Sequence, residues 1–162
     1  KAYKQIGYEL ACGLQIGKQT VNAIYDWDNY STYYHKDLLG ANNNIIISSP
    51  VISGPKVYEL INLLKEKQMS GVQITIVTWA PDSYRFGDAA YWMQLHEDMR
   101  QAGFYIKTVE ESCERFAVID QEVVWYGNIN LLAKDKVDDS IMRILSKEIA
   151  SELMEITFGD NG

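Results

Sequence analysis

Residues 113–130 have the sequence CERFAVIDQEVVWYGNIN, and this stretch decides the fold. Two largely apolar runs, residues 115–119, which start with Arg115, and residues 123–126, flank the polar pair Gln121-Glu122. Short runs rich in β-branched and aromatic residues are typical of buried strands, and a short polar connection between two of them is typical of a hairpin. The stretch therefore predicts two antiparallel strands followed by a polar loop at residues 127–130.

The residues on either side of this hairpin alternate between strand-like and helix-like patterns. The run Ile45-Ile46-Ile47 before Pro50 predicts a fully buried strand. A helix then begins at Gly54-Pro55 and ends before Gly71, because proline suits a first helical turn and glycine suits the position after the last one. By such patterns, strands are predicted over residues 43–49, 72–78, 104–109, 115–119, 123–126 and 141–145, and helices over residues 29–41, 54–70, 88–102 and 146–156.

This order of elements predicts an α/β fold, a mixed sheet flanked by helices, as one domain over residues 1–162. Strands that alternate with helices form right-handed parallel βαβ units, whereas the hairpin adds antiparallel strands. Residues 1–28 have the weakest pattern and are predicted only as an opening hairpin of mixed character. The chain begins at Lys1 without a methionine or a leader sequence, so we expect a piece of a longer polypeptide.

The composition excludes several classes of protein. The chain is 47% hydrophobic and 23% charged, as in globular proteins, and no apolar run approaches the roughly 20 residues of a membrane helix. Its net charge of −7 repels phosphates at long range, so a general basic nucleic-acid binder is excluded and phosphate recognition requires a local site. The cysteines Cys12 and Cys113 show neither disulfide nor metal spacing. We therefore expect a soluble cytoplasmic protein with no metal and no cofactor.

The spacing within residues 113–130 resembles the HKD signature of the phospholipase D superfamily, H-x-K-x4-D followed after six residues by G-S-x-N. Asp120, Gly127 and Asn130 are identical to the signature, whereas Cys113, Arg115 and Asn128 replace its histidine, lysine and serine. The likeness extends over residues 29–156, since residues 44–50 and 71–78 look like the first two core strands. Residues 120–127 and 142–144 are similar to phospholipase D-like domains appended to bacterial helicases and restriction-type nucleases.

This resemblance implies a phospholipase D-like α/β/α sandwich and a phosphodiester chemistry. In that chemistry one motif histidine attacks phosphorus and the histidine of a second motif protonates the leaving oxygen, while lysine and asparagine hold the nonbridging oxygens. A chain with one motif supplies both histidines only as a homodimer through the motif face. Here neither copy contains the histidine.

The residues of the degenerate motif leave alternatives open. Cys113 is either a thiolate nucleophile, with a pKa lowered by Arg115, or a small residue that fills a slot at the start of a strand. Arg115 either holds a phosphate together with Asn128 and Asn130, because guanidinium and amide groups donate hydrogen bonds to phosphate oxygens, or pairs with a carboxylate such as Glu114 or Asp120. Asp120, Gly127 and Ser49 are expected to support this site.

The two histidines are not candidates for catalysis. His35, Lys36 and Asp37 spell the name of the motif, but consecutive residues on a helix point in different directions, so we expect His35 on the surface. A lone helical histidine such as His96 usually faces solvent or is a hydrogen-bonded core residue. The aromatic residues between Trp79 and Trp92 are expected in the core or in an interface.

Three functions are compatible with the sequence. The first is a catalytically inactive domain that binds phosphodiesters or DNA, or dimerises, as an accessory part of a bacterial helicase or nuclease whose ATPase region belongs to the same polypeptide. The second is an active phosphodiesterase or nuclease that uses Cys113 or a residue supplied by a partner. The third is a purely structural dimerisation module. A membrane partner is not expected, because no amphipathic membrane-seeking segment is present.

Overall fold

The computed structural model describes residues 22–83, 88–133 and 139–159. These ranges contain seven strands: β1 Ala23–Asp26, β2 Asn44–Ser48, β3 Gln73–Trp79, β4 Tyr105–Val109, β5 Phe116–Ile119, β6 Val123–Gly127 and β7 Ser140–Leu145. Their helices are α1 Tyr30–Leu39, α2 Gly54–Met69, α3 Ala89–Gln101 and α4 Lys147–Phe158, with a 3₁₀ turn at Pro81–Ser83.

The strands form one mixed sheet in the order β1-β7-β6-β5-β2-β3-β4. β2, β3 and β4 are parallel neighbours, as expected of strands connected by helices, and every other pairing is antiparallel. The predicted α/β fold with a mixed sheet flanked by helices is therefore confirmed.

The hairpin that opened the sequence argument is present, with its turn one residue earlier than predicted. Asp120 and Gln121 both have positive φ, 55° and 57°, and the amide of Glu122 donates to the carbonyl of Ile119 at 3.1 Å. A two-residue turn with positive φ at both central positions matches the twist of the strands that it joins. The turn is thus Asp120-Gln121 rather than Gln121-Glu122.

In the described part of residues 1–28, the structure has a strand, β1, that the sequence did not predict as a separate element. β1 pairs antiparallel with β7, from Ala23↔Arg143 to Asp26↔Ser140, and forms an edge of the sheet. The predicted opening hairpin falls largely on residues 1–21, which lie outside the described residues. β1 could not be recognised in the sequence, because its partner follows more than 100 residues later.

Helices cover the two faces of the sheet unequally in the described ranges. On one face, which we call the three-helix face, α1, α2 and α3 pack against side chains that alternate along the strands. On the other, the one-helix face, α4 packs alone. The first core includes Ile45, Ile47, Ile74, Ile76, Trp125, Leu38, Leu64 and Leu95, and the second includes Ile46, Val77, Phe116, Val118, Val124, Ala150 and Leu153.

A buried ion pair fixes α1 to the sheet. The guanidinium of Arg143 on β7 donates from Nε to Oδ2 of Asp37 at 2.6 Å and from Nη2 to Oδ1 at 3.1 Å, and Trp125 Nε1 donates to Oδ2 at 2.8 Å. The Arg143 side chain is 6% exposed and that of Asp37 is 15% exposed. Asp37, part of the misleading string of three residues, is therefore a structural residue.

His35 is more buried than expected, and His96 is a core residue that lacks the expected hydrogen bonds in the described part of the chain. His35 is half-buried rather than fully on the surface, and burial lowers its pKa. His96 is 1% exposed, and in the described part of the chain neither of its ring nitrogens has a hydrogen-bond partner. Burial, together with the charge of Arg100, lowers the pKa of His96 to about 4, so this imidazole is neutral at pH 7.

None of the helices in the described residues is both long enough and apolar enough to cross a membrane.

We predict that Arg143→Met lowers the free energy of unfolding by about 3 kcal/mol, because Asp37 then remains buried without its charged partner. Urea denaturation measures the change. The control is Glu59→Gln, which removes the exposed Lys56–Glu59 pair at 3.5 Å and is expected to cost less than about 0.5 kcal/mol. Equal losses in the two variants would contradict the assignment of Arg143 to a buried network.

Candidate functional site

Most of the motif residues meet at one edge of the sheet, which we call the motif edge. β2 ends there at Ser48, β5 begins there at Phe116, and β6 ends there at Gly127, because β5 runs antiparallel to both neighbours. Chain segments that leave these three strands carry Ser49, Cys113, Arg115, Asn128 and Asn130. The sheet topology therefore assembles residues that are up to 81 positions apart in the sequence.

Arg115 and Asn130 form the polar centre of the motif edge. Arg115 Nε donates to Asn130 Oδ1 at 2.9 Å, and Asn130 is 7% exposed. Within the described residues, Nε is the only guanidinium atom of Arg115 that has an acceptor, and no carboxylate lies within 4 Å of this guanidinium. Asn128 lies two residues before Asn130 and is exposed. The predicted pairing of Arg115 with Glu114 or Asp120 is absent from the described part of the chain.

Ser49 connects the two loops that carry the site. Its buried hydroxyl donates to the carbonyl of Val51 at 2.7 Å and accepts from the amide of Leu132 at 3.2 Å. The amide of Ser53 donates in turn to the carbonyl of Leu132 at 2.8 Å. These bonds attach the loop after β2 to the segment that follows Asn130.

Cys113 lies in a half-buried slot beside Ser48, a residue that the sequence analysis did not select. The Cys113 Sγ and Ser48 Oγ atoms are 3.5 Å apart, and the Ser48 hydroxyl donates to the carbonyl of Glu114 at 2.6 Å. Burial raises the pKa of the Cys113 thiol, and this effect exceeds the lowering by the Ser48 hydrogen bond and by the charge of Arg115. The charge of Arg115 therefore does lower the pKa of the Cys113 thiol, but burial outweighs this effect.

Gly127 is required by the close approach of β6 to β7. A Cβ atom on Gly127 would lie 2.4 Å from the carbonyl oxygen of Ser140 and 2.7 Å from the Cα of Ile141. Both are backbone atoms, so neither can rotate away as a side chain could. The amide of Asn128 also donates to the Ser140 carbonyl, at 3.1 Å, which fixes the start of the loop.

Asp120 does not join the other motif residues. It lies at the opposite edge of the sheet, because β5 separates it from Arg115 by about 16 Å of extended chain. Its carboxylate accepts the backbone amides of Asn42, Asn43 and Asn44, with the shortest distance 2.7 Å to Asn43. Asp120 therefore fixes the start of β2 and has no contact with the Arg115 centre.

Three acidic residues lie in the segment between β4 and β5 that leads to the motif edge. Glu110, Glu111 and Glu114 are exposed, and the carboxylate of Glu114 accepts the Tyr126 hydroxyl at 2.5 Å. This hydrogen bond raises the pKa of Tyr126, so the phenol stays neutral and acts as a donor. The Glu114 carboxylate is thus hydrogen-bonded to Tyr126, and in the described residues it forms no ion pair with Arg115.

The aromatic residues between Trp79 and Trp92 were expected either in the core or in an interface, and some of them lie in the core. Trp92 packs against the core of the three-helix face, and the Tyr91 hydroxyl accepts the amide of Gly54 at 3.0 Å. Tyr84 and Phe86 lie outside the described residues. In the described ranges no three histidine, cysteine or acidic side chains come together as metal ligands.

Comparison with known proteins identifies relatives of this arrangement. The model of the family described as "Cardiolipin synthase, PLD-like domain" matches residues 34–158, well over half of the chain. No curated protein matches the sequence.

Several solved structures share the fold at low sequence identity. Nuc from Salmonella typhimurium, a phospholipase D family member, has 13% identity and a TM-score of 0.65, and NucT from Helicobacter pylori has 9% identity and a TM-score of 0.63. In both cases the match covers 85% of this chain and 92% of the other. The archaeal chromatin protein TrmBL2 has 13% identity and a TM-score of 0.61, over 97% of this chain and 58% of its own.

We predict that the Cys113 thiol is unreactive at neutral pH, since its raised pKa leaves little thiolate. In a Cys12→Ser background, the rate of alkylation by iodoacetamide should rise with pH to a midpoint above that of the urea-unfolded chain. Alkylation of the urea-unfolded chain provides the control, and its midpoint should lie near the ordinary thiol value. A lower midpoint in the folded protein than in the unfolded chain would contradict the raised pKa.

Proposed function

The chain belongs to the phospholipase D-like family, and from that premise we propose that it binds phosphodiesters, DNA in particular, without hydrolysing them. The observation that carries the proposal is the Arg115 centre at the motif edge. Its guanidinium is oriented through Nε by Asn130, and its Nη groups have no acceptor among the described residues. A planar guanidinium held by one nitrogen presents its remaining donors to phosphate oxygens in a fixed direction.

The absence of hydrolysis in this proposal follows from the chemistry of Cys113. Attack on phosphorus requires a thiolate, and burial keeps the thiol protonated by raising its pKa. A thiol that served as nucleophile in one copy could not serve equally well as general acid in another. The alternative, an active phosphodiesterase based on Cys113, would have to overcome both obstacles.

What is known of the structurally similar proteins supports a phosphodiester as the binding partner. Nuc is a phospholipase D family member, and TrmBL2 is a chromatin protein with its own mode of DNA binding. Another neighbour, phosphatidylserine synthase from Haemophilus influenzae, has 11% identity and a TM-score of 0.59 over 88% of this chain and 38% of that one. We favour DNA over a lipid, because no apolar membrane-seeking segment was found in the sequence.

The charges predict a weak interaction that depends strongly on salt. The chain has a net charge of −7, and the segment that leads to Arg115 carries the exposed glutamates Glu110, Glu111 and Glu114. Binding must therefore come from a few short-range contacts against an unfavourable long-range field. We expect an affinity within the range of non-specific DNA binding, on the order of 10⁻⁴ to 10⁻⁶ M, that is lost as salt is raised.

We further propose that two copies associate through the motif edge and that the domain is an accessory part of a larger bacterial helicase or nuclease. One motif per chain supports association, since two copies would present two Arg115 centres to one phosphodiester backbone. The similarity of residues 120–127 and 142–144 to helicase-associated domains supports the accessory role.

We predict that Arg115→Gln weakens binding of a fluorescent single-stranded oligonucleotide about tenfold or more at low salt, because a charge-assisted hydrogen bond to phosphate is lost. Fluorescence anisotropy measures the affinity, and the slope of its salt dependence should decrease by about one unit. Duplex DNA and inorganic phosphate are titrated in parallel to separate DNA from a simple anion.

The control for this experiment is Arg100→Gln, which makes the same charge change on the surface of α3. Arg100 is half-exposed and lies near Glu97 at 3.7 Å, away from the motif edge. We expect a loss of less than about twofold, because a distant exposed charge is largely screened. Equal losses in the two variants, or no binding by the unaltered protein, would refute the proposed site.

We predict that the triple variant Cys113→His, Arg115→Lys, Asn128→Ser gains hydrolysis of bis(p-nitrophenyl) phosphate, whereas the unaltered protein shows none. The changes restore the residue types of the full signature at positions close to the ends of β5 and β6. The double variant Arg115→Lys, Asn128→Ser lacks the histidine and should remain inactive. Hydrolysis by the unaltered protein that disappears in Cys113→Ser would instead establish the cysteine-dependent enzyme.

A further inference from the structure

Two exposed tyrosines lie together at the start of α2, outside the residues of the motif. Tyr58 of α2 and Tyr91 of α3 are each 44% exposed. A Cβ atom on Gly54 would lie 2.5 Å from the Tyr91 hydroxyl oxygen and 3.8 Å from Cε2 of Tyr58, so both side chains meet beside this glycine. We call Tyr58 and Tyr91 the tyrosine pair.

Hydrogen bonds hold both rings of the tyrosine pair in place. The Tyr91 hydroxyl accepts the amide of Gly54 at 3.0 Å. The Tyr58 hydroxyl donates to Oδ2 of Asp98 at 2.5 Å, and the other oxygen of that carboxylate accepts Nε2 of Gln94 at 2.8 Å. Each tyrosine thus has its polar end bound within the protein, while part of its ring remains in solvent. Rings that are fixed before a ligand arrives lose little side-chain entropy when the ligand packs against them.

The tyrosine pair lies on the same side of the sheet as Arg115. Phe116 belongs to the core of the one-helix face, so the alternation of side chains directs the preceding Arg115 toward the three-helix face. The helices α2 and α3 pack on that face. Glu114, in contrast, is bound to Tyr126, which packs against the core of the one-helix face. The acidic side chain next to Arg115 therefore lies on the other side of the motif edge from the tyrosine pair.

A short path of hydrogen bonds connects Arg115 to the start of α2. Arg115 Nε donates to Asn130 at 2.9 Å, and the carbonyl of Leu132 accepts the amide of Ser53 at 2.8 Å. Ser53 directly precedes Gly54, beside which the tyrosine pair meets. From bond lengths and residue spacings, this path is at most about 25 Å long. At about 3.4 Å or more per nucleotide, a strand of about eight nucleotides is long enough to follow it.

We propose that the tyrosine pair stacks the unpaired bases of a DNA strand whose phosphate is held by Arg115, so that the site selects single-stranded over duplex DNA. The inference rests on the proposed function, because the strand is anchored at the Arg115 centre. Every base has a π face, and stacking on an exposed aromatic ring contributes about fivefold to one hundredfold in affinity per base with little dependence on sequence. In a duplex the bases are stacked on each other, and a side chain reaches a face only after the base has been unstacked. Stacking also requires no positive net charge, which suits a chain whose total is −7.

Fluorescence anisotropy with three labelled probes of about ten nucleotides tests the inference in the full chain. The probes are a single-stranded oligonucleotide, its duplex, and an abasic strand that has the same phosphates without bases. We expect the oligonucleotide to bind about tenfold or more tighter than either of the other two. Equal affinities for the oligonucleotide and the abasic strand would overturn the inference, and the Arg115 site would stand if Arg115→Gln still weakened both. No binding of any probe would refute the inference and the proposed function together.

Substitution of Tyr58 separates stacking from the phosphate contact. We expect Tyr58→Ala to weaken binding of the oligonucleotide about fivefold or more and to change binding of the abasic strand less than about twofold. Tyr58→Phe keeps the ring and should retain most of the affinity. The matched control is Tyr105→Ala, the same change at a 60% exposed tyrosine that begins β4 at the opposite edge of the sheet. Circular dichroism verifies that the variants are folded, and equal losses in Tyr58→Ala and Tyr105→Ala would contradict the inference.

Photochemical crosslinking of the unaltered protein gives a direct measurement. An oligonucleotide that carries 5-iodouracil reacts on irradiation with aromatic side chains that stack on the modified base, and mass spectrometry locates the attachment. We expect crosslinks at Tyr58 or Tyr91, and crosslinks confined to other residues would refute the inference. If Tyr58→Ala instead dissociates a dimer and leaves the DNA affinity unchanged, a second copy of the chain covers the tyrosine pair and the inference fails.

Discussion

The antiparallel pairing of β5 with β2 is the constraint on which the rest of the structure depends. It joins the parallel half of the sheet to the antiparallel half, with Ile45 opposite Ile119 and Ser48 opposite Phe116. A slip of one residue would turn every side chain of β5 to the other face. Asp120 opposes such a slip, because its carboxylate accepts three backbone amides at the start of β2. The four residues between Arg115 and Asp120 of the motif are thus the whole of strand β5. One end of that strand carries the site, and the other end fixes its register.

At the motif edge, the short-range attraction of Arg115 for an anion is opposed by the long-range repulsion of the acidic chain. Arg115 is oriented by the neutral Asn130, so its charge is not compensated within hydrogen-bond distance in the described ranges. Glu114 is next to it in sequence but is bound to Tyr126 instead. The site is consequently cationic at short range within an acidic protein, and a phosphate gains energy only after it has reached the guanidinium. In the proposed site, this arrangement favours close, oriented binding of a phosphate over general attraction to polyanions.

Local sequence patterns predicted most of the sheet and little of the side-chain chemistry. β2, β3 and the β5–β6 hairpin were recognisable because each has its own periodicity and its own turn residues. The Asp37–Arg143 pair spans 106 positions, and no local pattern reveals which cation a helical aspartate will meet. Ser48 was overlooked in favour of Ser49 for a related reason. Adjacent residues of a strand point to opposite faces, and only the paired strand decides which of them contacts Cys113.

A cysteine at the position of the signature's histidine fits the proposed binding site better than it fits a new nucleophile. A thiolate at position 113 would put a negative charge close to any phosphate held by Arg115 and would weaken that contact. The buried position beside Ser48 keeps the thiol protonated instead, because burial raises its pKa. A neutral thiol does not repel the phosphate. It is also smaller than an imidazole, and it does not have to change its protonation state for the phosphate to bind. If Arg115 binds a phosphate as we propose, the desolvation that makes Cys113 a poor nucleophile also keeps a negative charge away from that contact.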